Sequence, residues 1–383
     1  MSARAKRATT VNLLGAYLIT FVIFAIVDAE NARGVRNIGD NSQKPKILTV
    51  EQAGNKNIKV LKGMPNAQLI PAMQFMSASL GVRCEYCHAT KDGQLDSAAE
   101  GKKQKDTARD MVRMVREINR TNFEGEPMVS CYTCHVGHAF PQGFPTLPVA
   151  MVPPAPPQQA AQSTPQQFPS GASVIDHYIA AIGGEQALQK ITSCIMAGKI
   201  VTAKGATGTY QIEQVPPNRG HESVTLGSFH RERGVRDTVG WEKTPFGTVD
   251  LLPQQVPDTD LSLPLLLDVQ VKRQYIEATV SGKEKINNRD AYIVDATRKD
   301  NKRERLYFEV ESGLLLKRIS YTPTMIGIMP EQIDFDDYRD VDGIKLPFLI
   351  RVSIADSNSP TNTRTFDDVK INLPVSDSKF GKP

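Results

Sequence analysis

Two short stretches carry most of the residues in this chain that could do redox or metal chemistry. Cys84-Glu85-Tyr86-Cys87-His88 and Cys131-Tyr132-Thr133-Cys134-His135 each set two thiols three positions apart, with an imidazole directly after. On one turn of helix such thiols reach the two vinyl groups of a porphyrin and form thioethers, the attachment pattern of c-type haem. The following side chain, His88 or His135, then lies under the ring and ligates the iron. A CxxC pair alone also serves zinc or disulfide chemistry. Those readings leave the repeated His unexplained, so the pattern predicts two covalently bound haem c groups, held through Cys84, Cys87, Cys131 and Cys134.

A haem iron that only carries electrons takes a sixth ligand, and a thioether there raises the potential by favouring the ferrous state. Each CxxCH follows a segment containing MxxM: Met73 and Met76 before the first, Met111 and Met114 before the second. The i, i+3 spacing puts both sulfurs on one helical face, so one can ligate while its neighbour packs against the porphyrin. Met is also a common core filler. Spacing alone leaves open which member of each pair is the ligand.

These side chains need helices to hold them. Pro71 and Gly81 bracket the first helix, with Pro at the first helical position and Gly just past the end. The second is predicted over 106–119, with Val112, Val115 and Ile118 apolar and Arg109, Arg113 and Arg116 exposed. Helix, loop and CxxCH thus occur twice.

The chain of 383 residues is too long for one compact core. Its formal charge of +4 is too slight for a nucleic-acid binder. The five Cys divide into four in the two motifs plus Cys194, which reads as a buried small hydrophobe at a strand start, so no disulfide is expected. At the N-terminus, Arg4, Lys6 and Arg7 precede an uncharged apolar run over 11–27, the pattern of an export signal. Its length allows cleavage after Ala29 or retention as an anchor in the inner membrane. Either outcome puts the rest of the chain in the periplasm.

Residues 139–175 hold no charged side chain, and 141–170 contain nine Pro and six Gln, the composition of a semi-extended linker. Beyond it, a helix over 173–182 stops at Gly183-Gly184, and strand patterns follow with turns such as Glu311-Ser312-Gly313 and Asp342-Gly343. One further apolar helix is expected at 260–269. Trp241 and Phe246 read either as a rim of the sheet's concavity or as core. His138 reads as an exposed neighbour of the haem it follows, and His177, His221 and His230 are too scattered for a metal cluster.

The stretch over 57–141 resembles the cytochrome c subunit of the photosynthetic reaction centre. Ala108-Arg109-Asp110-Met111-Val112-Arg113-Met114, then Ile118-Asn119 and VSCYTCHVG, carry the likeness. The resemblance implies that the first Met of each MxxM is the axial ligand, which selects Met73 and Met111. The family carries four haems and a further His between the second helix and CYTCH; this chain has two motifs and no His over 120–130. A lipid-anchoring Cys is also missing. The distal part resembles periplasmic lipoprotein-carrier half-barrels, through AIGGEQAL and DYRDVDGIKLPF. That likeness implies a concave face able to take an acyl chain, a lipoprotein or a partner segment.

The expected organisation is therefore multidomain. A signal peptide or anchor (1–29) precedes a mainly α dihaem cytochrome c domain (30–140) and a Pro/Gln-rich linker (141–171). An α+β domain with a large curved antiparallel sheet, a half-barrel, completes the chain (172–383). The expected function is single-electron transfer between redox protein partners rather than catalysis, with His88 and Met73 on one iron and His135 and Met111 on the other. The family likeness adds a reaction centre or other membrane electron-transfer complex as partner. Two alternatives stay open: a haem-based oxidoreductase with one five-coordinate iron, and a lipid- or lipoprotein-binding module with accessory haems.

Overall fold

The computed structural model describes residues 49–92, 94–141, 168–245, 247–251, 275–354 and 362–383. The chain divides into two compact units, Met1–Lys44 and Pro45–Pro383. The apolar run over 11–27, the Pro-rich core of the linker, Phe246 and the expected helix at 260–269 lie outside the described residues. Among the described residues no helix is long and apolar enough to cross a membrane.

Within the larger unit, the motif-bearing part contains α1 (Leu69–Leu80), α2 (Cys84–Cys87), a small hairpin of β1 (Ala89–Lys91) and β2 (Gln94–Asp96), α3 (Lys103–Asn122) and α4 (Cys131–His135). Helix α1 begins two residues before Pro71, which therefore sits in its first turn, where backbone N–H groups have no helical partner to lose. Gly81 ends it in the left-handed conformation, as its position predicts. Helix α3 is longer than expected at both ends, and its exposed face carries the Asp110–Arg113 and Glu117–Arg120 ion pairs.

The distal part opens with α5 (Gly171–Ala181), whose first turn is capped by the Ser170 hydroxyl accepting from Ser173 N–H at 3.1 Å. After the short α6 (Glu185–Leu188), thirteen strands among the described residues form one antiparallel sheet. They are β3 (Cys194–Thr202), β4 (Thr207–Val215), β5 (Arg219–Leu226), β6 (Phe229–Arg236), β7 (Val239–Thr244) and β8 (Gly247–Asp250). After residues outside the description come β9 (Tyr275–Ile286), β10 (Arg289–Arg298), β11 (Arg303–Glu309), β12 (Leu315–Thr324), β13 (Gly327–Val341), β14 (Ile344–Ile354) and β15 (Asn362–Ile371). The order is β8-β7-β6-β5-β4-β3-β15-β14-β13-β12-β11-β10-β9, so two meanders join where β3 pairs with β15. Among the described residues the sheet is curved and unclosed, ending at β8 and β9, in agreement with the half-barrel expectation. Asn287-Asn288 and Asp342-Gly343 take positive φ at both central turn positions, which suits two-residue hairpins.

One face of the sheet carries α5. There Tyr178, Ile179 and Ile182 pack on Met196, Ile212, Leu306, Phe308, Phe335 and Ile350, with the Tyr178 and Phe308 rings 5.2 Å apart. Cys194, the first residue of β3, is fully buried in this core, as its sequence context predicts. Trp241 is buried, but on the opposite face. It pairs across the sheet with Gly234 and donates its indole N–H to Phe380 O of the C-terminal segment at 3.2 Å. It therefore belongs to packing under that segment and does not rim the helix-bearing face.

The helix-bearing face turns polar at β4–β7. Glu222 accepts from Arg231 at 2.7 Å, Arg233 reaches Glu242 at 2.7 Å, and Arg364 donates to Tyr210 Oη at 2.7 Å. Burial works against the Glu222 carboxylate, yet Arg231, Arg233 and Arg364 together outweigh it and pull its pKa from 4.5 down to about 2. A depressed folded-state value means that the stabilisation is complete above the unfolded value and is lost as pH falls towards the folded one. Unfolding followed by fluorescence should therefore show stability declining between about pH 4.5 and 2, with Glu222→Gln flattening that decline. Independently, Phe335→Ala in the main core is expected to cost roughly 3–5 kcal/mol in urea unfolding.

Candidate haem-binding site

Each CxxC pair sits on a single helical turn, with His135 inside its turn and His88 extended just past the end of its own. In the first, His88 N–H donates to Cys84 O at 3.0 Å, and the Lys102 ammonium donates to Glu85 O. In the second, Ser130 N–H donates to the Thr133 hydroxyl at 3.0 Å, capping the turn on entry. Cys134 is exposed, Cys84, Cys87 and Cys131 are half-buried, and Cys194 is buried.

The segment leading into the second motif is gripped by α3. Asn119 donates its side-chain N–H to Val129 O at 2.8 Å and accepts Val129 N–H on its own oxygen at 2.8 Å. A two-way amide clamp of this kind fixes both position and orientation of the strand it holds. At the other end of α3, Arg109 corrects the sequence expectation, because it is buried rather than exposed. It forms two bonds of 2.7 Å to the Glu100 carboxylate, another of 2.7 Å to Asp106, and one to Asn57 O. The buried stripe of α3 runs Arg109, Val112, Val115, Asn119, so both its ends are polar side chains with specific partners. Residue type alone assigned Arg109 to solvent; Glu100 and Asp106 supply the counter-charge that makes its burial tolerable.

Helix α4 packs on α1, and α2 packs on the N-terminal part of α3. Each motif thus rests on a long helix from the other half of the segment. The end of α1 meets the turn after the second motif backbone to backbone, with Gly137 N–H donating to Ser79 O at 2.9 Å. A Cβ on Gly81 would lie 2.1 Å from Gly137 O, so only glycine fits there. Met73, Met76 and Cys131 share one apolar cluster with Val50, Leu61, Met64, Ala72, Phe75 and Val112. Of the second Met pair, Met111 is half-buried and Met114 is 41% exposed. His138 presents its carbonyl to His135 Nδ1 at 2.9 Å, so its backbone, and not its imidazole, meets the motif.

The donor set suits a covalently held, imidazole-ligated group. Burial lowers the affinity of His88 for a proton, with Lys105, Lys102 and Arg109 adding to the effect. The imidazole is therefore neutral and has a lone pair to offer. Its Nδ1 is buried without a hydrogen-bond partner. Burial pushes the Cys131 thiol up to about 11 and also raises that of Cys87. Among the described residues no group of His, Cys, Asp and Glu is arranged to hold a bare metal ion. A separate cleft of about 700 Å³ lies between the second motif and the sheet. Phe75, Ser130 and Tyr132 line one side of it and Asp295, Arg303, Arg305 and Tyr321 the other, without the motif's thiols or imidazole.

Residues 27–181 match the family described as the photosynthetic reaction centre cytochrome C subunit. Cytochrome c-554 of Chloroflexus aurantiacus is 33% identical over 113 residues, which are 28% of this chain and 26% of that relative. The chain thus spans about a quarter of that protein's length. Among solved structures, a DUF1329 family protein from Desulfovibrio piger covers 56% of this chain and 98% of its own at 13% identity and a TM-score of 0.40. A LolA superfamily protein from Nitrosomonas europaea covers 56% and 99% at 14% identity and a TM-score of 0.39. Over its motif-bearing part, this chain resembles the photosynthetic reaction centre cytochrome C subunit family.

Proposed function

We propose that the protein is a dihaem c-type cytochrome that passes single electrons between redox proteins outside the cytoplasm. The observation that carries this reading is the repeat of a one-turn CxxCH helix, with its neighbouring MxxM helix, inside the segment that matches a cytochrome family. Haem c, when bound, supplies a reversible one-electron ferric/ferrous couple. The chain's part is to hold and surround it. Cys84 and Cys87, and Cys131 and Cys134, would anchor the two groups; His88 and His135 would ligate from one side.

Met73 for His88 and Met111 for His135 complete the assignment that follows chain order and family likeness. The greater burial of Met111 than of Met114 supports the choice of the first Met in that pair. A second reading follows from the cluster that groups Met73 and Met76 with Cys131. In it, α1 serves the haem of the second motif and α3 that of the first. With both irons six-coordinate, no open position is left for a substrate, which favours electron transfer over haem-based catalysis.

A reaction centre or another membrane electron-transfer complex is the partner class that the family likeness favours, with export and anchoring assigned to 11–27. The sheet then serves as the docking body for the cytochrome segment. The Glu222, Arg231, Arg233, Glu242 and Arg364 cluster on its helix-bearing face suits polar groups and water, and lends no support to an acyl chain there.

Intact mass of the purified protein should count two haems, and Cys131→Ala/Cys134→Ala should leave one. Spectra recorded during redox titration should show two low-spin His/Met centres. Met73→Ala and Met111→Ala should each remove that signature from one centre, and if neither does, the axial assignment is wrong. Combining Met73→Ala with Cys131→Ala/Cys134→Ala separates the two pairings. The remaining haem loses its thioether signature under chain-order pairing and keeps it under the exchanged one.

A further inference from the structure

The cytochrome segment does not close its apolar cluster with its own residues. The turn between β12 and β13 projects into it: Ile326 is fully buried there, Met329 nearly so, and Met325 packs at its edge. These three side chains come from the sheet, more than 180 positions beyond the second motif, and meet Met73, Met76 and Cys131 in one cluster. The approach is close enough to exclude a side chain at the tip. A Cβ on Gly327 would sit 2.4 Å from the Ser130 Cβ and 3.2 Å from Val129 O, and its φ of +112° is itself a glycine conformation. Ser130 is the residue directly before Cys131. The turn is shaped from within, by the Thr324 hydroxyl donating to Gly327 O at 2.7 Å.

We propose that this hairpin tip, residues 324–329, is a wall of the second haem site, supplied by the sheet to seal the group attached at Cys131 and Cys134 from water. The proposal rests on the dihaem reading above with the exchanged pairing, in which α1, with Met73 and Met76, faces the haem of the second motif. Its consequence is electrostatic. Ferric haem carries one positive charge more than ferrous haem, and a dry apolar wall disfavours the extra charge, raising the reduction potential. Ile326, Met325 and Met329 are positioning residues in this account, and Gly327 permits their approach.

The test uses full-length holoprotein. Gly327→Ala forces the tip away from Ser130, and Ile326→Ser puts a hydroxyl into the wall. Each should move one of the two redox transitions to lower potential and leave the other in place. Amide hydrogen exchange over 69–80 should rise in both variants. Met325→Leu/Met329→Leu keeps the wall apolar and should leave both potentials and exchange unchanged. In the Cys131→Ala/Cys134→Ala background, the surviving transition should not respond to Gly327→Ala.

Unshifted transitions in variants that melt as folded proteins would overturn the proposal. So would loss of a His/Met signature in the double Leu variant, which would make a hairpin sulfur an iron ligand. If Ile326→Ser does not fold, Gly327→Ala alone decides. A wild-type mass without haem would sink the dihaem reading and with it the redox role of the wall. Hydrogen exchange would still report separately whether the tip covers α1.

Discussion

The motif-bearing segment does not complete its apolar cluster by itself. Small domains bury a low fraction of their surface, and such segments commonly need a cofactor, a metal or a neighbour to reach a stable core. Here the shared cluster around Met64, Phe75 and Val112 is completed by Ile326 and Met329 from the sheet. The orientation of α1, the seat of the second motif and the approach of the β12–β13 turn all depend on that one contact. Polar clamps then fix what apolar packing leaves loose. Arg109 ties the loop before α3 to its first turns, and Asn119 holds the chain entering the second motif.

The sheet contributes rigidity at the other end of the same contact. Thirteen antiparallel strands over a core that includes Phe308, Phe335 and Phe366 give the hairpin a stiff base, so its tip is held rather than flexed into place. Its charged patch around Glu222 is neutralised internally by Arg231 and Arg233, with Glu242 pairing Arg233 in turn. Around the motifs, Lys59 and Lys105 gather about Glu100, and Glu85 meets Lys204.

Much of this was legible from residues alone because the relevant forces are local. CxxCH is a one-turn device, and its geometry follows from helix pitch wherever it occurs. Gly81 as a left-handed cap and Asp342-Gly343 as a hairpin turn are also short-range matters, and each stands where its residue type predicts. The alternating strands beyond residue 193 were readable for the same reason: a half-buried strand writes its period into four to eight residues.

Arg109, Trp241 and the hairpin tip were not readable. Trp241 and the tip owe their environment to residues distant in the chain, Phe380, 139 positions from Trp241, and Ser130, against which Gly327 closes; Arg109 is buried against Glu100 and Asp106, near in sequence, and Asn57 O, 52 positions away. The amino-acid sequence by itself determined the spacing of Cys and His in the two motifs and which segments form helices and strands, since both follow from spacing along one chain. Only the tertiary structure decided that α4 rests on α1 and that the sheet supplies part of the apolar core around the motifs. Burial and close approach are properties of surfaces brought together, and no window of sequence contains both partners.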